Sequence, residues 1–130
     1  MANYVVDGGL AIVTNLITGA GTEPVHIGWG TGAGTTAATD TTLFTEALVT
    51  LSAGTSDHTA GTSSRQTTST TNDTYRVTGT RTATGSGTVT NAGLWDAASG
   101  GNLFQKGDFT GIGLVSGDSI AFTFNAQFTN

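Results

Sequence analysis

The hydrophobic positions of this 130-residue chain recur at two spacings. Near the start, Leu10, Val13, Leu16 and Ile17 fall three or four residues apart, which predicts a short helix. Asp7 stands ahead of it as a candidate N-cap and Gly19 beyond it as a C-terminal stop. The β-branched residues in this stretch keep a strand as the competing reading. After Pro24 the period drops to two: Val25, Ile27 and Trp29 share one face of a predicted strand, with His26 and Gly28 on the other. Further on, Tyr75, Val77, Gly79 and Arg81 alternate with Arg76, Thr78, Thr80 and Thr82, which predicts a long strand with a Thr-rich, solvent-tolerant face. Gly85-Ser86-Gly87 reads as a turn, residues 89–97 as a strand, Gly100-Gly101-Asn102 as a hairpin connection, and Leu103-Phe104 as the start of the next strand. These strands are expected to be successive antiparallel partners. The clearest alternation is the last, with Ile120, Phe122, Phe124, Ala126 and Phe128 at every second position. That strand has one apolar face and is expected to lie centrally in its sheet, since burying each large side chain contributes about 1.5–3 kcal/mol.

Three stretches carry weaker patterns. Residues 30–36 form a glycine- and threonine-rich loop, and the apolar patch from Leu43 to Leu51, which contains Glu46, supports either a strand or a turn of helix. Residues 52–73 consist almost entirely of Thr, Ser, Gly and Asp, with Arg65 the one cation. A segment this long without an apolar anchor is expected to be an exposed excursion, or a strand-loop-strand arm ordered by a neighbour.

Composition agrees with the strand pattern. Only 10% of residues are charged, too few for the salt-bridged surfaces of a helix bundle, whereas Thr suits a pleated surface and Gly supplies tight turns. A chain of this length is expected to build one core. The expected fold is therefore all-β, a single domain over residues 1–130 built as an antiparallel β-sandwich or jelly roll, with a short N-terminal helix.

Charge and residue inventory then narrow the function. The net charge is −5, with Arg65, Arg76, Arg81 and Lys106 the four permanent cations, so a phosphate-neutralising surface is not expected and neither is direct nucleic-acid binding. The absence of cysteine removes disulfides, thiolate metal sites and thiol nucleophiles together. No basic stretch leads an apolar segment at Met1-Ala2-Asn3-Tyr4, and the longest apolar run, Leu10 to Val13, is too short for a bilayer, so no membrane partner is expected.

Candidate chemistry is sparse. The glycines of residues 28–34 invite comparison with a phosphate loop, but no Lys-Ser or Lys-Thr follows and the dinucleotide spacing is not met. His26 and His58 are the two imidazoles, and Asp57 adjoins the second, which brings a metal site or a Ser-His-Asp arrangement to mind. His58 lies in the hydroxyl-rich excursion, where a rigid scaffold for a general base is not expected, and His26 reads as a strand residue facing solvent or a neighbour. The carboxylates are scattered, and Asp40 with Glu46, or Asp96 with Asp108, could pair only through the tertiary fold. Trp29, Trp95 and Phe109 could stack on sugars, but each sits among apolar neighbours and reads as core. No catalytic residue, cofactor or metal ligand is assigned, and the expectation is a non-enzymatic protein.

Several segments together carry a resemblance: Ile27-Gly28-Trp29-Gly30-Thr31-Gly32, Thr41-Thr42-Leu43-Phe44-Thr45-Glu46, Asn91-Ala92-Gly93-Leu94-Trp95-Asp96-Ala97, Gly101-Asn102-Leu103-Phe104, and Gly117-Asp118-Ser119-Ile120. From about Pro24 onward the chain resembles small virion proteins of tailed phages, including those labelled tail-fibre proteins and the cement or decoration proteins on the outside of capsids. The resemblance implies a capsid decoration protein on the outer virion surface, assembled in the host cytoplasm, with the major capsid protein as partner. It also implies a homo-oligomer, trimer or dimer, that clamps shell subunits through arms and edge strands. The expected assembly contacts are the N-terminal arm over 1–6, with Tyr4, Val5 and Val6 as apolar anchors, and the 52–73 excursion with Arg65. The alternative is a tail-fibre or tail-tip component that binds a host surface glycan.

Overall fold

The computed structural model describes residues 3–130. In chain order the elements are β1 (Asn3–Val5), α1 (Asp7–Ile17), β2 (His26–Gly30), β3 (Glu46–Ala47), β4 (Thr59–Ala60), β5 (Thr62–Gln66), β6 (Thr74–Thr82), β7 (Gly87–Trp95), β8 (Leu103–Leu114) and β9 (Ser119–Gln127). The strands form two antiparallel sheets, one in the order β1-β8-β7-β2-β3 with β4 also on β2, the other in the order β5-β6-β9. The fold is all-β and sandwich-like, with one short N-terminal helix. Ile27 and Trp29 from β2, Val89 and Leu94 from β7, and Phe104 from β8 meet Val77 from β6 and Phe124 from β9 in a shared core. Alternation accounts for Ile27 and Trp29 sharing one face, whereas in β7 a register shift between Val89 and Asn91 changes the parity and brings Val89 and Leu94 to the same core.

Helix α1 packs against β8 and adds Ile12 to that core. Its approach depends on Gly9, where a Cβ would sit 2.4 Å from the Phe104 carbonyl oxygen. The helix ends as expected at Gly19, whose φ of 83° lets its N–H donate to Leu16 while Ala20 N–H donates to Asn15. Its start and its buried face differ from expectation. Val6 occupies the N-cap position with no side-chain cap, and Asp7 is the first helical residue. Gly9 and Ile12 are buried, whereas Leu10 and Ile17 of the predicted stripe are exposed.

Strand order departs from the sequence expectation in two places. Gly85-Ser86-Gly87 does not close a hairpin. β6 pairs with β5 and β9, and β7 with β2 and β8, so the chain crosses between sheets there. β9 lies at an edge, not in the centre, since alternation specifies which face a strand buries but not which neighbours it pairs with. The hairpin at Gly100 and Gly101 does form, with φ of 60° and 84°, and joins β7 to β8.

The 52–73 segment also differs from an unanchored excursion. It contains β4, which pairs with β2, and β5, which pairs with β6, and it buries His58. At the N-terminus, Asn3, Tyr4 and Val5 pair with Gly107, Lys106 and Gln105 of β8. The remainder of the expected 1–6 arm, Met1 and Ala2, lies outside the described residues.

Candidate functional site

Four ionisable residues, Glu46, His58, Arg81 and Lys106, are buried, and each meets a partner in the fold. Glu46 on β3 and His58 just before β4 face each other with His58 Nε2 at 2.5 Å from Glu46 Oε1. His58 Nδ1 donates to the Ala97 carbonyl at 2.8 Å, and the ring stacks on Trp95 with centroids 4.9 Å apart. Gly28 makes the space, because a Cβ there would lie 3.0–3.1 Å from His58, Trp95 and Glu46 at once. His58 is therefore held rigidly, contrary to expectation, but in the interior. Its imidazole is committed at both nitrogens, so it is not poised as a base for an outside substrate. A sequence signal exists in the adjacent Asp57-His58 pair within a hydroxyl-rich stretch, but His58 pairs with Glu46 and not with Asp57.

Asp57 instead serves Arg81. The Arg81 guanidinium is wholly buried, with Nη2 at 2.7 Å from Asp57 Oδ1 and 3.1 Å from the Ala47 carbonyl, while Nη1 donates to the Asp57 carbonyl and to Thr59 Oγ1. Its Cζ lies 4.8 Å from the Trp29 ring centroid. A second buried cation, Lys106, donates to Asp40 Oδ2 at 2.8 Å and to the Thr42 carbonyl at 2.9 Å, over the ring of Phe44. The Lys106 ammonium, followed by the Ala37 N–H, holds the Asp40 carboxyl below the usual carboxylate range. Half of the cations are thus internal ties, and Arg65 and Arg76 remain nearer the surface.

The glycine-rich loop is likewise committed to the fold. Thr31 N–H donates to Thr45 and Gly32 N–H to Phe44, and a Cβ at Gly30 would meet the Phe44 carbonyl oxygen at 2.4 Å. Asn91 fastens the same segment, accepting from Phe44 N–H and donating to the Phe44 carbonyl. The glycines serve close backbone packing, and these N–H groups do not point at an anion. Among the described residues no cluster of three His, Asp or Glu could hold a metal ion, and no helix is long and apolar enough to cross a membrane.

What remains on the surface is suited to contact. An apolar groove of about 300 Å³ opens between α1 and the sheets. Val13, Leu16 and Ile17 form its helical wall, and Pro24, Tyr75, Phe104 and Phe128 line the rest. Ile17 is 81% exposed and Phe128 49% exposed, so this apolar surface is not covered by the chain itself. Tyr75 forms part of the floor. Its hydroxyl donates to the Pro24 carbonyl at 3.0 Å, and burial, with Glu23 nearby, raises its pKa well above the ordinary value.

A second, polar cleft of about 570 Å³ lies alongside, lined by Ser69 to Thr71, Asp73 and Gln127 to Asn130. Asp73 is fully engaged within it: Oδ1 accepts from Thr68 N–H, and Oδ2 from Ser69 N–H, Thr70 N–H and Gln127 Nε2. These bonds depress its carboxyl far below the usual range, the Thr70 N–H contributing most.

The expected contact residues are dispersed. Tyr4 is 45% exposed on the short edge strand β1, Val5 is half-buried, and Val6 is buried with Leu43, Trp95 and Leu103. Val6 therefore anchors its own chain and is not presented to a partner. Arg65 is exposed on β5. No sequence pattern marks the groove, because it combines Val13, Leu16 and Ile17 with Pro24, Tyr75, Phe104 and Phe128, which only the tertiary fold assembles. Trp29 and Trp95 are core residues as expected, while Phe109 is half-buried at the sandwich margin.

Compared with protein-family models, with curated proteins and with solved structures, the chain matches none.

Proposed function

We propose that this protein is a non-enzymatic structural component of a tailed-phage particle, a capsid decoration protein that binds the outer surface of the major capsid protein lattice and stabilises the head. The observation that carries the reading is the division of residues between interior and surface. Buried Glu46, His58, Arg81 and Lys106, with half-buried Asp57 and Asp40, are tied to one another or to backbone. The surface offers hydroxyls, edge strands and an uncovered apolar groove. That distribution suits a protein whose work is adhesion. Many copies on a symmetric shell add weak contacts into firm attachment, so no single interface must be large. The groove between α1 and Phe128 is the surface on which a capsid segment would dock.

The glycan-binding tail alternative would use the polar cleft beside Phe128, which has an exposed ring and hydrogen-bonding side chains. Its one carboxylate, Asp73, already accepts from three backbone N–H groups and from Gln127, which disfavours it as a sugar ligand.

The test is the copy number of this protein in purified particles, measured by quantitative mass spectrometry against the major capsid protein. Copies comparable with the capsid subunits are expected. A handful per particle would overturn the head assignment and place the protein in the tail.

A further inference from the structure

Strand β9 is the longest strand lying wholly at a sheet edge, with nine residues against five in β5, three in β1 and two each in β3 and β4. Edge strands expose unpaired N–H and C=O groups, and soluble proteins usually blunt them with charge, proline, bulges or short length. β9 has none of these devices. Its sequence, Ser-Ile-Ala-Phe-Thr-Phe-Asn-Ala-Gln, carries no charge and no proline, and its register with β6 runs without interruption from Thr82–Ser119 to Thr74–Gln127. The opposite edge of the same sheet, β5, is short and carries Arg65. The open distal part of β8, beyond its pairing with β1, contains Gly111 and Gly113 and faces a register shift between Val89 and Asn91, features that weaken and twist a strand.

The pairing pattern shows which groups of β9 face outward. Phe128 N–H bonds Asp73 on the β6 side, and Asn125 presents its carbonyl away from β6, to Gln105 Nε2 at 2.7 Å. Antiparallel pairing alternates these directions residue by residue, so the N–H and C=O of Ser119, Ala121 and Thr123 point out from the free edge. Their side chains are exposed. On the inner face, Ile120 and Phe122 are only half-buried, and Phe122 lines a small apolar cleft with Phe109 and Phe124 that opens beside this edge.

We propose that this edge joins a second copy of the same chain, β9 against β9, antiparallel about a two-fold axis through Ala121. The edge is self-complementary in that arrangement. Ser119 meets Thr123, Ala121 meets its counterpart, and about six main-chain hydrogen bonds form across the axis. The two three-stranded sheets become one of six strands, and Ile120 and Phe122 gain apolar neighbours across the join. Charge also favours a second copy. The chain carries a net −5, but no charge lies on β9, and the nearest acid, Asp118, comes to lie roughly 20 Å from its counterpart, beyond the screening length. This gives a specific form to the homo-oligomer expected from the sequence and does not rest on the capsid reading, which the copy number tests separately.

The experiment is sedimentation equilibrium of the full chain with three variants. Ala121→Lys places like charges on the axis, and Thr123→Pro removes an outward N–H that serves no bond within the chain. Ser64→Lys changes the other edge of the same sheet. The wild type and Ser64→Lys are expected to sediment as dimers, and the two β9 variants as monomers with near-ultraviolet circular dichroism unchanged. A monomeric or trimeric wild type overturns the proposal. So does a dimer that survives Ala121→Lys, or one that Ser64→Lys alone dissolves.

Discussion

His58 Nε2 lies 2.5 Å from Glu46 Oε1 while Nδ1 of the same ring donates to the Ala97 carbonyl, so a single buried imidazole ties β3 to the turn after β7. The carbonyl can only accept, so Nδ1 is the donor to it. Removing His58 leaves Glu46 buried without its partner. His58→Ala is expected to cost about 3–5 kcal/mol, whereas His58→Phe combined with Glu46→Leu recovers most of that loss by replacing the pair with apolar volume stacked on Trp95. Urea unfolding followed by the fluorescence of Trp29 and Trp95 reads both. A cost below about 1 kcal/mol for His58→Ala would mean that the pair contributes little to the fold.

Gly9 sets two effects of opposite sign against each other. On propensity alone, replacing a helical glycine with alanine stabilises by up to about 1 kcal/mol, and Gly9 lies in the first turn of α1. Here the added Cβ would sit 2.4 Å from the Phe104 carbonyl oxygen, a backbone atom that cannot rotate away. Helix α1 must then lift from β8 and withdraw Ile12 from the core. Gly9→Ala is expected to destabilise by about 1–3 kcal/mol, in the range for overpacking. A thermal midpoint raised by the substitution would show that the helix is not pinned at this point.

The way α1 sits explains why its buried face, with Gly9 and Ile12, is not its hydrophobic stripe. Leu10, Val13, Leu16 and Ile17 form a helical stripe, but the approach to the Phe104 carbonyl of β8 is made at a glycine, Gly9, which no hydrophobic pattern counts. The strand faces were legible because alternation is local: Tyr75, Val77, Gly79 and Arg81 do point inward. Arg81 follows the same parity and is buried, although its charge suggested no such place. What sequence could not reach was pairing across distance. Asp57 and Ala47 meet Arg81, Glu46 meets His58, and β9 falls at an edge because, among the described strands, β6 alone pairs with it in the sheet. A hydroxyl-rich stretch such as 52–73 looks unanchored when its anchors are hydrogen bonds from other strands.

Acid should weaken the fold through two carboxylates. Backbone N–H groups of the 68–70 turn depress Asp73, and Lys106 depresses Asp40, each below the ordinary value of 3.8. Because the folded-state values are lower than the unfolded ones, the unfolded chain binds more protons in acid. The stabilisation is fully present above the unfolded value and is lost as pH falls toward the folded values. The thermal midpoint is expected to change little on this account between pH 7 and about 5 and to fall below about pH 4. Asp73→Asn should lower the midpoint at pH 7 and make the acid decline shallower. An unchanged acid slope in that variant would exclude Asp73 as a contributor.

The groove between α1 and Phe128 can be tested apart from the fold, because its rim residues contribute little to the interior. Ile17→Lys places a cation at the last turn of α1, where the helix dipole favours it, and Phe128→Ser leaves the Phe128 N–H bond to Asp73 in place. Each is expected to change unfolding free energy by no more than about 0.5 kcal/mol, as exposed substitutions generally do. If the groove docks on the particle, each should weaken binding to particles lacking the protein by at least about tenfold, equivalent to about 1.4 kcal/mol of contact. Val115→Ser changes an exposed apolar residue on the β8–β9 turn and serves as the comparison. Loss of binding with Val115→Ser but not with the groove variants would move the docking face to the β8–β9 side of the sandwich, where the β9 edge lies, and leave the groove without a role in attachment.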